Sequence, residues 1–116
     1  MSTEINAITL VVTDMAASVR FYTDLGMTVV YGGADQPFTT LQIGQNFVNL
    51  QHTGNAPGTG WGRVVIHVES PDELHATAAR RGYRSETEPA DAPWGERYFH
   101  IHDPDGHELS FARRLT

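Results

Sequence analysis

Histidine and glutamate are the side chains here best able to do chemistry, and they gather in the second half of the chain. His67, His100, His102 and Glu108 fall within short runs of alternating residues, accompanied by Arg63 and Ser110. Imidazole nitrogen and carboxylate oxygen are proper ligands for a divalent transition metal. A His–Glu pair can equally serve as general base and orienting group. His67, His100 and Glu108 are therefore the candidate catalytic residues. Their spacing matches no metal-ligand motif, so hydrogen-bonded walls of a polar cleft, or solvated sheet-edge residues, are the competing reading. Arg63 can bind an anionic group or form an ion pair with Glu108. Ser110 lacks the strained strand-to-helix elbow of a serine nucleophile. The glycines at 54–62 lack the preceding strand and the following Lys-Ser/Thr of a phosphate loop. His52, His75 and His107 are expected at the surface.

These residues must be positioned by strands, because side chains of a strand alternate between two faces. Alternation groups Arg63, Val65 and His67 on one face of a strand over 63–68. It groups Tyr98, His100 and His102 over 97–102, and Glu108 and Ser110 over 108–113. In the first half, Phe47, Asn49 and Gln51 share a face over 47–51. The opposite set is Ile8, Leu10, Val12, Val64, Ile66, Val68, Ile101, Leu109 and Phe111, which suits packing beneath helices. One face of the sheet thus reads as ordinary core and the other as unusually polar. Trp61 and Trp94 lie on loops flanking the mouth of that polar face. Such indoles stack on a flat ligand or seal an interface between subunits. Phe21 and Tyr22 lie on a helix and read as core or dimer contacts.

The elements repeat. Val12-Thr13-Asp14 leads through a helical pattern to Leu25-Gly26, and Val68-Glu69-Ser70 leads through another to Arg81-Gly82 at the same spacing. An internal repeat of this kind fixes architecture before any single residue is interpreted. Thr13 or Asp14 is a suitable N-cap for the first helix. Ser70-Pro71-Asp72-Glu73 combines a serine cap, proline at the first helical position and glutamate three residues after the cap. Gly26 and Gly82 suit the position after each helix. Strands are expected at 7–13, 27–31, 39–43 and 47–51, with Gly44-Gln45-Asn46 as a hairpin loop. Residues 86–96 read as loop, and Asp103-Pro104-Asp105-Gly106 as a tight turn. The fold class is α+β, βαβββ twice: repeat 1 at about 5–52, a Gly/Pro-rich linker at 53–61 and repeat 2 at about 62–114.

Size and composition narrow the function. A chain of 116 residues suits one compact domain. It has no cysteine, which excludes a disulfide framework and thiolate chemistry. A formal charge of −6, from 14 acids against 8 bases, argues against nucleic acid, which needs a basic face. It favours a neutral or cationic small ligand. No apolar run resembles a signal peptide or approaches the roughly 20 residues of a membrane span. A cytoplasmic protein without membrane or nucleic-acid partners is expected.

Thr13-Asp14-Met15-Ala16-Ala17-Ser18-Val19-Arg20-Phe21-Tyr22 before Leu25-Gly26, the Pro93-Trp94-Gly95 loop and the Asp103-Pro104-Asp105-Gly106-His107 hairpin, set on two βαβββ units, resemble the vicinal oxygen chelate superfamily. That group includes glyoxalase I, extradiol dioxygenases, fosfomycin-resistance enzymes and bleomycin-resistance proteins. The resemblance covers nearly the whole chain. It implies two tandem modules forming an incomplete mixed β-barrel with a helix per module, and a homodimer. It also implies four inward positions that hold a divalent metal in the enzymes, which fall here on Ala7, Asn49, Arg63 and Ser110. These four residue types do not make a transition-metal site. No cofactor is therefore expected. The resemblance then points to a metal-independent protein like the bleomycin-resistance branch, sequestering a small organic ligand in clefts at a dimer interface. Its ligand-contacting set would be Asn49, Gln51, Trp61, Arg63, His67, Trp94, Tyr98, His100, His102, Glu108 and Ser110. The alternative is a glyoxalase-like lyase or isomerase, or a dioxygenase-related enzyme, with an unusual metal or a His/Glu acid–base site. A third reading is a structural or regulatory module with a vestigial cavity.

Overall fold

The computed structural model describes residues 3–116. Their elements run β1 (Ala7–Val11), α1 (Met15–Asp24), β2 (Thr28–Tyr31), β3 (Phe38–Ile43), β4 (Asn46–Gln51), β5 (Arg63–His67), α2 (Pro71–Arg80), β6 (Ala90–Asp91), β7 (Glu96–His102) and β8 (Glu108–Arg114). The order is βαβββ twice. The chain divides into two compact units, Met1–Gly58 and Thr59–Thr116, each an α+β module.

Local chemistry accounts for the helix ends. Asp14 caps α1, its Oδ1 accepting from the Ala17 amide at 3.1 Å. Ser70 caps α2, its Oγ accepting from the Glu73 amide at 3.1 Å, with Pro71 in the first turn. These side chains satisfy amides that a helix start leaves without intrahelical acceptors. After each helix the backbone turns left-handed at glycine, Gly26 with φ +102° and Gly82 with φ +87°. A residue bearing Cβ is strained there.

Each module contains one four-stranded mixed sheet, ordered β1-β4-β3-β2 and β5-β8-β7-β6, and neither sheet closes on itself. The first and last strands of each repeat are parallel neighbours: Ala7 stands beside Phe47, and Arg63 beside Glu108. The remaining pairs are antiparallel. The stretch 86–96, expected as loop, contains the two-residue strand β6. It is the first of the three strands that the second repeat needs after its helix. Its brevity, and Pro89 and Pro93 around it, hide any alternation. Strand β7 also begins one residue before the expected start, at Glu96.

One face of each sheet is packed. Leu10, Leu41, Val48 and Leu50 are buried in the first module, with Phe21 and Tyr22 of α1. Ile66, Phe99, Ile101, Leu109 and Phe111 are buried in the second. Helix α1 lies against β2 and β4, and α2 against β7 and β8. His75 of α2 meets the Phe99 ring edge-on at 5.2 Å, and Phe99 stacks on Phe111 at 5.6 Å. His75 is therefore half-buried against the core rather than on the open surface. Arg97 anchors the start of α2 to the sheet. Its guanidinium donates to both carboxylate oxygens of Asp72, at 2.7 and 3.0 Å, and to Asp91 at 2.9 Å. That bidentate pairing holds the Asp72 carboxyl below its ordinary range.

His107, expected at the surface, is buried. The Asp103 carboxylate accepts the amides of Asp105 and His107 at 3.0 and 2.9 Å, folding the turn so that His107 points inward. Turn chemistry at Asp103-Pro104-Asp105-Gly106 was readable, but the direction it gives the next side chain was not.

Removing the α2 cap provides a test of the local argument. Ser70→Ala is expected to destabilise the protein by about 1 kcal/mol. Urea unfolding followed by circular dichroism measures the loss, and an unchanged midpoint would show that tertiary contacts alone hold the helix start.

Candidate functional site

The second sheet brings its polar residues together on one face. Registers place them in rows across β5, β8 and β7: Arg63, Glu108 and His102; then Val65, Ser110 and His100; then His67, Ala112 and Tyr98. Glu96 follows beside Arg114 at the end of the face. This is the face away from α2, since α2 touches the Phe99 side. The alternation read from sequence therefore holds in all three strands.

At one end, Arg63 lies along β8. Its Nη1 donates to the Leu109 carbonyl at 3.1 Å and to Ser110 Oγ at 3.4 Å, and its Nη2 to Glu108 Oε2 at 3.4 Å. Ser110 is buried, and its hydroxyl meets His100 Nδ1 at 2.6 Å. Burial, then the nearby Arg63 charge, pushes the His100 imidazolium below its ordinary pKa, opposed in part by Glu86 and Glu108. The His100 amide donates to Thr87 Oγ1 at 2.9 Å. His102 faces Glu86 at 3.5 Å.

At the other end, His67 Nε2 meets Glu96 Oε2 at 2.7 Å. Alternate strands of a sheet are about 10 Å apart, so His67 must reach across β8 to β7. The residue between them is Ala112, whose methyl group leaves room. Glu96 Oε1 accepts from the Trp94 indole at 3.0 Å. The hydrogen bond from His67, then that from Trp94, holds the Glu96 carboxyl below its usual range. An aromatic row continues inward: Trp94 stacks on Tyr98 at 5.8 Å, and Tyr98 lies 4.9 Å from the His100 ring. Trp94 is 68% exposed.

Structure thus separates the three candidate catalytic residues into different pairs. His67 meets Glu96, His100 meets Ser110, and Glu108 meets Arg63. The two tryptophans flank opposite ends of the face: Trp61 precedes the Arg63 end of β5, and Trp94 precedes the Glu96 end of β7. Glu96 and Glu86 were missed by sequence reasoning. Glu96 continues the Tyr98 alternation by one step, but lies one residue outside the strand expected over 97–102. Glu86 comes from a loop that carries no period.

In the first module, Asn49 stands between Thr9 and Thr40. Its Oδ1 accepts from Thr40 at 2.8 Å and its Nδ2 donates to Thr9 at 3.2 Å. Gln51 is exposed at the end of the same face, and Ala7 sits beside Phe47. Of the four metal-implied positions, Ala7 has no donor atom and Asn49 has its amide engaged by two threonines. Arg63 presents a cation, and Ser110 is hydrogen-bonded to His100. This donor set does not fit a divalent ion. Among the described residues, no three His, Asp or Glu side chains are grouped to hold one. Nor, among them, is any helix long and apolar enough to cross a membrane.

The sequence profile of the Glyoxalase/Bleomycin resistance protein/Dioxygenase superfamily matches residues 4–111. Among solved structures, the chain is similar to a member of that superfamily from Sphaerobacter thermophilus, at 25% identity and a TM-score of 0.78, covering 97% of this chain and 98% of that one. It is similar to TioX from Micromonospora, at 22% identity and a TM-score of 0.77, covering 97% and 100%. It is also similar to a lactoylglutathione lyase from Agrobacterium tumefaciens, at 17% identity and a TM-score of 0.79, covering 97% and 94%. The last two likenesses are of fold alone. No curated protein matches the sequence.

The site makes stability depend on pH. An unfolded histidine titrates near about pH 6.5, and folded His100 takes its proton only at lower pH. In that window the unfolded chain binds the extra proton, so stability falls as pH falls. Glu96 adds a second loss below about pH 4.3, where an unfolded glutamate regains its proton. Urea midpoints are expected to drop between about pH 7.5 and 5.5, and His100→Gln to flatten that drop. An equal slope in the variant would remove His100 as its cause.

Proposed function

The chain belongs to the Glyoxalase/Bleomycin resistance protein/Dioxygenase superfamily, and from that premise we propose that it is a metal-independent, small-molecule-binding protein of the drug-sequestering kind. It holds an organic ligand in a cleft completed by a second copy of the chain, in the cytoplasm. The observation that carries this reading is the second sheet's open face. An aromatic row of Trp94, Tyr98 and His100 runs beside polar groups that are already hydrogen-bonded to one another. A wall of this kind recognises a flat molecule by stacking and orients it by hydrogen bonds. Arg63 further supports independence from metal. It places a permanent cation at one of the positions that would hold the ion, and its charge opposes a dication there.

A second reading is favoured by one contact. His67 and Glu96 lie 2.7 Å apart, within reach for a general base and its orienting carboxylate. In that reading the protein is a glyoxalase-like enzyme working through acid–base groups, with Glu96 in the role assigned from sequence to Glu108.

Four measurements separate these readings. Elemental analysis after incubation with nickel, zinc, manganese and iron is expected to find no stoichiometric metal. One tightly held ion per chain would overturn metal independence. A thermal-shift screen of planar aromatic compounds is expected to yield stabilising ligands whose binding weakens several-fold in Trp94→Ala, since one aromatic stack is worth about 0.5–1.5 kcal/mol. No stabilising compound, or no effect of Trp94→Ala, counts against the binding face. Sedimentation is expected to give twice the 12.8 kDa chain mass. Turnover of an α-oxoaldehyde–glutathione adduct that is lost in Glu96→Gln would move the assignment to the enzyme.

A further inference from the structure

The Arg63 end of the face does more than fill a metal position. Arginine carries five N–H donors and no acceptor. Nη1 uses its two hydrogens on the Leu109 carbonyl and Ser110 Oγ, and one Nη2 hydrogen points to Glu108. Among the described residues, no protein acceptor takes the Nε hydrogen or the second Nη2 hydrogen. The side chain is held along β8 yet is 30% exposed.

His100 adds a donor beside them. Ser110 Oγ accepts from Arg63, which can only donate, and among the described residues the acceptor that the buried Ser110 hydroxyl hydrogen meets is His100 Nδ1. The proton of the imidazole is then on Nε2. A charged imidazolium would carry a proton there as well. In either state Nε2–H is a donor, and no described residue accepts it. Arg63 and His100 both bond to Ser110 Oγ, which ties their donors to neighbouring positions on the face.

The contact that Arg63 makes with Glu108 shows what that place takes. Charge-assisted N–H···O pairs close to about 2.7–2.9 Å when well seated. Here the separation is 3.4 Å, and the Glu108 side chain is 34% exposed. Glu108 is a loose occupant, and a carboxylate from outside can offer Arg63 the same chemistry in the bidentate geometry the guanidinium favours. Apolar groups adjoin it: Val65, 55% exposed, shares the row of Ser110 and His100, with Tyr98 in the next row.

We propose that Arg63 and His100, bridged through Ser110, form a carboxylate-binding subsite for an aromatic acid whose ring lies over Val65 and Tyr98. This rests on the small-molecule reading and deepens it, the local Arg63 cation rather than the net charge of −6 deciding the sign of the ligand: the cation that stands at a metal position receives a ligand oxygen in its own right. Glu108 closes the subsite when no ligand is bound.

The test uses 1-naphthoate and its neutral counterpart 1-naphthamide as probes, with calorimetry on the full chain at low salt. The acid is expected to bind at least tenfold more tightly than the amide. Arg63→Gln is expected to abolish that preference. Glu108→Gln, which removes the internal competitor and keeps the shape, is expected to tighten naphthoate severalfold. The second variant keeps the proposal testable if Arg63→Gln fails to fold, which circular dichroism would reveal. Equal binding of the two probes overturns the subsite and leaves the small-molecule reading standing. No binding of naphthoate, or weaker naphthoate binding in Glu108→Gln, also overturns the subsite. Failure of the broader reading shows separately, as absence of any stabilising ligand in the thermal-shift screen.

Discussion

One helix covers one face of each four-stranded sheet, and that constraint governs the rest of the molecule. A strand must present alternate side chains to both faces. In the second module, Phe99, Ile101, Leu109 and Phe111 go beneath α2, and Tyr98, His100, Glu108 and Ser110 are sent to the other side by the same alternation. Burial of the apolar set holds the fold, and the polar set follows wherever that burial directs it. The bidentate clamp of Arg97 on Asp72 and the Ser70 cap fix α2 in place on the packed side.

The open face carries charged and polar groups close together, and it answers the electrostatic cost by pairing them locally. Glu96 receives His67 and Trp94, Arg63 receives Glu108, and Ser110 links Arg63 to His100. Exposed pairs of this sort add little to stability. Their effect is orientation: they hold rings and donors at fixed positions beside the Trp94–Tyr98 stack. The pairing is also why the candidate catalytic residues do not form a single cluster, each being drawn to a different neighbour. Small residues at the centre of the face, Ser110 and Ala112, permit this by leaving the longer side chains room to cross β8.

Much of the architecture was legible in the sequence because its causes are local. The Asp14 and Ser70 caps, the glycine stops and the period-two strands each depend on a few neighbouring residues. The duplicated βα pattern checked one half against the other. Strand β6 was not legible, because two residues cannot show a period. The inward turn of His107 was not, because it depends on Asp103 accepting two amides in a particular turn. The facing set of the site was legible through alternation, apart from Glu96 and Glu86. The opposite placement of Trp61 and Trp94 follows from the parallel and antiparallel pairing of β5, β8 and β7, which no single strand reveals.

By itself the sequence determined the α+β repeat and the polar and apolar faces. These follow from residue identity and period, which need no knowledge of neighbours distant in the chain. Tertiary structure alone decided the partners: His67 with Glu96, His100 with Ser110, and Arg63 with Ser110 and Glu108. Hydrogen bonds reach only about 3 Å, so they depend on strand register and on the small side chains between strands. A one-residue slip would exchange every facing residue. It is packing against the helix that selects the register and so brings these residues into contact.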